Sequence, residues 1–155
     1  MFNARSLKNK LGELYCHLNT TISDINCVTE TWLNSSIPDN VVIGDTNFSI
    51  FRKDRLSNRV GGGVCVFINN ATVKAVPVLI PSKFVSLELI AVDIISSTSV
   101  FRLFVAYRPP CSSDFDPVSL SYTSLGLLCE CIESLIPVNS TFVLCGDFNF
   151  PKINW

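Results

Sequence analysis

FVLCGDFNFPKINW, residues 142–155, begins as a buried strand and ends as a polar loop. Phe142-Val143-Leu144-Cys145 is a short apolar run of the kind that fills a strand covered on both faces. Gly146 follows, where the backbone can turn and a ligand can approach closely. Asp147 and Asn149 stand two residues apart, so in an extended chain both side chains point the same way. One is an acceptor-only carboxylate, the other an amide that both donates and accepts. Pro151 then stops regular structure. A buried strand that carries an acid and an amide to its carboxyl end is a common site-building device in α/β proteins. The alternative is that Asp147 and Asn149 are turn formers only.

Working back from this strand, 100–107, 84–95 and 73–80 read as further strands of a meander, with Ser96-Ser97-Thr98-Ser99 as a hairpin connection. Arg108-Pro109-Pro110 breaks that run. Asp116 is suited to cap, and Pro117 to start, a helix with Leu125, Leu128, Ile132 and Leu135 on its inner face. Pro137 ends it. Earlier, Gly61-Gly62-Gly63 runs into the strand 64–68, and 48–52 and 24–29 are strands as well. A glycine run that opens a strand rather than a helix is not a phosphate loop. Leu7, Leu11, Leu14 and Leu18 give one apolar helical face, with Ser6 as its N-cap, and Met1-Phe2 is the stub of a strand. Residues after Leu33 through Pro38 and Asp39 read as loop. The order of helix, strands, helix and strand predicts an α/β or α+β protein with a sheet-rich core.

The chain has 155 residues, enough for one domain or part of one, and 48% of them are hydrophobic. Charges or prolines cut each apolar run before the roughly 20 residues a membrane span needs. The net charge of −1 gives no bulk attraction to nucleic acid. The seven cysteines lack CxxC spacing and lie mostly in apolar runs, which reads as a reducing, intracellular compartment. The single histidine, His17, lies in a helical pattern and offers no zinc site. Arg52, Lys53, Arg55 and Arg59 form the dense basic cluster, either a solvated hairpin loop or a phosphate contact. Glu88, Asp93, Glu130 and Glu133 read as surface charge, and Trp32 as packing beneath a site.

Five motifs occur in order: N-A-R-S-L at 3–7, T-E-T-W-L at 29–33, F-R-K-D-R with G-G-G-V across 51–64, A-Y-R-P-P at 106–110, and G-D-F-N-x-P at 146–151. Together they resemble the endonuclease/exonuclease/phosphatase family, and more narrowly the apurinic-type endonuclease domain of non-LTR (LINE-like) retrotransposons. The resemblance runs over residues 1–155. It implies a four-layer α/β sandwich of two mixed sheets flanked by helices. It also implies Mg²⁺-dependent (or Mn²⁺-dependent) hydrolysis of a DNA phosphodiester, gripped by its phosphate backbone. Position by position, it implies Glu30 as the metal ligand, a hard oxygen donor of the kind that Mg²⁺ accepts. Asn3 then stands near metal and phosphate, and the Tyr107 phenol approaches the scissile phosphate. Asp147 orients or deprotonates the attacking water, and Asn149 holds a phosphate oxygen. Arg108, beside Tyr107, is a candidate phosphate partner, as are Arg52 and Arg55.

The family's site is completed by a late aspartate–histidine pair, often Ser-Asp-His, that nothing in this sequence matches. The family's first strand is reduced to Met1-Phe2. The expectation is therefore a partial domain, short at both ends, with nuclease activity impaired. Its intact relative would act in the nucleus, with a reverse transcriptase in the same polypeptide and no membrane partner. Two rival readings are a phosphatase-type member of the family and a non-catalytic remnant.

Overall fold

Strict alternation along the central strands builds three stacked cores. The computed structural model describes residues 1–56, 60–110, 117–136 and 141–149. The strands are β1 (Phe2–Asn3), β2 (Ile25–Thr29), β3 (Phe48–Lys53), β4 (Val64–Asn69), β5 (Lys74–Val78), β6 (Glu88–Ile95), β7 (Val100–Tyr107) and β8 (Phe142–Asp147). The helices are α1 (Leu11–Thr20), α2 (Asp39–Ile43) and α3 (Pro117–Leu135). Arg59, Cys111, Asp116, Pro137 and residues 150–155, Pro151 among them, lie outside the described residues.

The first sheet has the order β1-β2-β4-β3 and the second β5-β6-β7-β8. In each, one edge strand is parallel to its neighbour, β1 to β2 and β8 to β7, and the other pairings are antiparallel. Both sheets are thus mixed. On β4, Val64, Val66 and Ile68 face the second sheet, where they meet Ile90, Val92 and Ile94 of β6 and Leu103, Val105 and Tyr107 of β7. The intervening Cys65 and Phe67 face α1, packing with Leu14 and Leu18. On the far side, Leu89, Ala91, Phe104 and Ala106 pack against Leu128, Cys131 and Ile132 of α3. The result is four layers, helix, sheet, sheet and helix, as the resemblance implies. Side chains such as Phe67 and Phe104 are fully buried, each worth about 1.5–3 kcal/mol.

Several local expectations are corrected. Helix α1 starts at Leu11, not near Ser6, and Lys10 at its N-cap makes no side-chain capping bond. Arg5 and Ser6 take positive φ (44° and 84°), and the amides of Ser6 and Leu7 bond the carbonyls of Glu30 and Thr31. This segment therefore lines the end of β2 instead of winding into a helix, while Leu7 still reaches the core. Phe84 is not in a strand. It lies in a 3₁₀ turn, Ser82–Phe84, entered from Pro81, and fills the core under α3. Asp39, read as part of a loop, opens the short helix α2, which buries Val42. The terminal strand runs from Phe142 to Asp147. Gly146 is not a turn: it pairs with Ala106 in the ladder. A Cβ there would run into the Ala106 carbonyl, so the missing side chain accommodates a backbone, not a ligand.

The six described cysteines (Cys16, Cys27, Cys65, Cys129, Cys131 and Cys145) are free thiols. Among the described residues no helix is long and apolar enough to cross a membrane.

Candidate active site

Four strand ends bring their last side chains to one edge of the sandwich. Asn3 closes β1 and stands beside Thr29 of β2, and Glu30 follows Thr29 directly. Tyr107 closes β7 and is the ladder partner of Asp147, which closes β8. The Asn3 amide donates to Asp147 Oδ2 at 3.2 Å, joining the edge strands of the two sheets. Asp147 Oδ1 accepts the Asn149 backbone N–H at 3.3 Å. Both oxygens of this carboxylate are therefore oriented by a neighbour.

Glu30 owes its direction to a backbone outlier. In a continuous strand its side chain would share the face of Val28 and enter the core beneath α1. Glu30 has φ 56° instead, and Trp32 has φ 55°. This left-handed geometry is costly for such residues and concentrates where a site requires it. It swings the carboxylate towards Tyr107, whose phenol hydrogen-bonds it. Glu30 Oε2 also accepts Trp32 Nε1–H at 2.6 Å and the Gly62 N–H at 3.0 Å. Burial alone would raise the Glu30 pKa. The bonds from Tyr107, Gly62 and Trp32, with the Arg55 charge, outweigh it and hold the carboxyl below its ordinary range. Burial first, then the bond to Glu30, pushes the Tyr107 phenol well above the usual tyrosine value.

The glycine run explains itself here. Gly61, Gly62 and Gly63 all have positive φ, between 74° and 98°. Their amides do not cradle phosphate: Gly62 serves Glu30, and Gly63 donates to Glu88. A Cβ on Gly62 would overlap the Arg55 guanidinium, and one on Gly63 would lie 2.5 Å from Thr31 Oγ1.

Asn149 does not stay extended after Asp147. It has φ 49°, and its Nδ2 donates to the Arg108 carbonyl at 2.8 Å. Arg108 is only 7% exposed. Its guanidinium donates to the carbonyls of Phe148 and Asn149, at 3.0 and 3.1 Å, and to Ser124 at 3.2 Å. It braces the loop after β8. Arg52 is not drawn into the cluster: it pairs with Asp39 at 3.1 Å and Asp54 at 3.6 Å on the opposite edge of the first sheet. Arg55 is drawn in, but as half of a pair with Glu88 at 2.6 Å, its guanidinium carbon 5.6 Å from the Tyr107 ring centre. Glu88, read as surface charge, is 8% exposed and lies directly across the β6–β7 ladder from Tyr107. The signal for it was an acid inside an otherwise apolar strand. Asp93 is likewise paired, with Arg102 at 2.7 Å. Trp32 packs at the site as expected and also donates to Glu30.

The donors that converge are oxygens, with neither thiolate nor imidazole, a set that suits a hard divalent cation. Among the described residues no group of three or more His, Cys, Asp or Glu side chains gathers. A cation here would rest on one or two protein oxygens, Glu30 first, with water completing its shell, which is how Mg²⁺ is commonly held.

No family model matches the chain, and no curated protein matches it. Solved structures do match, and they establish the fold. An AP endonuclease from Archaeoglobus fulgidus superposes with a TM-score of 0.69 at 17% identity, covering 96% of this chain and 55% of its own. The 3′ phosphatase NExo from Neisseria, bound to a product DNA hairpin, gives 0.70 at 15%, covering 99% and 58%. The AP endonuclease LMAP from Leishmania major gives 0.68 at 18%, covering 94% and 53%. These structures have the endonuclease/exonuclease/phosphatase fold, and this chain shares it. The chain spans about half the length of each structure it matches.

Proposed function

We propose that this chain carries the metal-binding and phosphate-orienting part of a DNA phosphodiester hydrolase. The observation that supports it is the meeting of Asn3, Glu30, Tyr107, Asp147 and Asn149 at one edge. Glu30, kept ionised by its three donors, would hold Mg²⁺ or Mn²⁺, which would supply positive charge against the charge that builds on the phosphate oxygens. Asp147, held by Asn3 and by the Asn149 N–H, orients and deprotonates the attacking water. The remaining amide hydrogens of Asn3 and Asn149 hold phosphate oxygens. The Tyr107 phenol, which stays protonated, approaches the scissile phosphate. The DNA-bound Neisseria structure supports a nucleic-acid backbone as substrate. The five ordered motifs favour the non-LTR retrotransposon branch, with a reverse transcriptase in the same polypeptide and action in the nucleus.

A second reading is a non-catalytic domain that binds nucleic acid or another phosphoester. One observation favours it. The single histidine, His17, bonds Asn26 at 3.1 Å and packs on Phe2, so it gives the cluster no imidazole. Nicking of supercoiled plasmid in Mg²⁺ separates the two. Nicking lost in Asp147→Ala and Glu30→Ala supports the hydrolase. Mn²⁺ binding that Glu30→Ala abolishes, without nicking, supports the binding module.

A further inference from the structure

The pair Arg55–Glu88 sits inside the cluster yet has no part in the chemistry proposed above. Four observations concern it. Glu88 is the cross-strand partner of Tyr107, so both side chains project from the same face of the second sheet. Arg55 bonds Glu88 at 2.6 Å and lies over the Tyr107 ring. The two carboxylates, Glu30 and Glu88, take the adjacent amides of Gly62 and Gly63. The gap left by the missing Gly62 Cβ is filled by the Arg55 guanidinium.

We infer that Arg55 and Glu88 are positioning residues: they clamp the glycine run and the Tyr107 ring so that the Tyr107 phenol and the Gly62 amide hold Glu30 in its metal-binding orientation. This rests on the reading of Glu30 as the metal ligand. The clamp needs each component as it stands. Glu88 is buried, so it must be paired, and Arg55 pairs it in a fixed planar geometry that lysine cannot copy. Gly62 must lack a side chain for Arg55 to reach across. Glu30 must leave the strand geometry for its carboxylate to meet the same glycine run. Arg55 is accordingly held between Glu88 and the glycine run.

A clamp and a merely nearby charge predict opposite signs. If Arg55 acts only through space, Arg55→Met removes a positive charge. The cluster then binds Mn²⁺ more tightly, and the Gly62 amide stays on Glu30. If Arg55 is a clamp, Arg55→Met releases Tyr107 and Glu30 from each other. Mn²⁺ binding then weakens, by about 10-fold or more as for other groups that orient a metal ligand. The Gly62 amide, no longer held on Glu30, then exchanges its hydrogen with solvent faster.

The experiment uses the whole chain. Mn²⁺ affinity is measured by electron paramagnetic resonance. Exchange of the Gly62 amide hydrogen with solvent is followed by NMR in the absence of metal. Arg55→Met is expected to weaken Mn²⁺ and to speed that exchange, with Arg55→Lys recovering part of both. Tighter or unchanged Mn²⁺ binding with unchanged Gly62 exchange would overturn the inference. Because Arg55→Met leaves the buried Glu88 without its cation, Arg55→Met/Glu88→Leu serves as the folded control. A double variant with normal melting and wild-type Gly62 exchange would also overturn it. Failure of the wild-type chain to bind Mn²⁺ would remove the metal reading alone, since the Gly62 exchange tests the clamp without metal.

Discussion

Asn3 and Asp147 lie 144 residues apart and meet at 3.2 Å, so the first and last strands described share one hydrogen bond. The bond is exposed, so its net contribution to stability is small, about 0.5–1.5 kcal/mol at most. Its value is geometric: it fixes the plane of the carboxylate that the proposed function gives to the attacking water. Asn3→Ala should leave the thermal melt nearly unchanged. Any nicking should fall by about 10²–10³, the typical loss when one oriented donor is removed from such a site. A melt lowered as much as the activity would assign Asn3 to the fold instead.

Gly146→Ala tests the ladder between β7 and β8. Its Cβ would overlap the Ala106 carbonyl, which belongs to the neighbouring backbone and cannot rotate away. The two strands must part locally, next to Tyr107 and Asp147. Overpacking of this kind costs about 1–3 kcal/mol. Urea denaturation should show that loss. A midpoint equal to that of the wild type would show that β8 is not paired as described.

The Glu30 carboxyl carries a pH signature. Its pKa is held below the ordinary value by Tyr107, Gly62 and Trp32 against the cost of burial. A group with a depressed folded pKa contributes stability above its unfolded pKa and loses it as pH falls through the folded one. Stability should thus decline below about pH 4.5, the ordinary glutamate value. Asp93, depressed chiefly by its bond from Arg102, adds to the same limb. Glu30→Gln should lower the neutral plateau and flatten part of that slope. Denaturant melts from pH 7 down to pH 3 measure this; an acid limb of the same steepness in Glu30→Gln would refute it.

The layering was legible because short apolar runs are a strong signal for strands, and 100–107 and 142–145 are such runs. On β4, β6 and β7 alternate residues enter the core between the sheets. Helix α3 was legible from its apolar face. What escaped depends on contacts distant in sequence. Ser6 looks like an N-cap, but the amides of Ser6 and Leu7 are taken by the carbonyls of Glu30 and Thr31, just past β2. Phe84 continues an apolar run, yet Pro81 turns the chain and drops it under α3. Glu88 looks like surface charge because its partner, Arg55, lies 33 residues earlier. The site residues Glu30, Tyr107 and Asp147 were readable as strand-end groups, but the left-handed backbone that aims Glu30 was not. No local sequence rule places a glutamate at φ 56°.

Among the described residues, strand β8 is an edge of the second sheet, and Phe142, Val143 and Leu144 are 43, 44 and 39% exposed. An edge strand offers a row of unpaired backbone groups, and apolar side chains beside them make it a template for association. No charged residue guards 142–146. The chain should therefore associate as its concentration rises, by a route that runs through β8. Val143→Lys puts a charge on a half-exposed position of that edge, the device by which natural edge strands avoid pairing. Its effect on the fold should be small, since the lysine stem can lie along the sheet while its ammonium reaches water. Light scattering across a concentration series should show later onset in Val143→Lys than in the wild type, and lysine at Leu79, an exposed apolar position away from β8, should change little. Equal delay by the two substitutions would attribute the association to general surface hydrophobicity and not to the β8 edge.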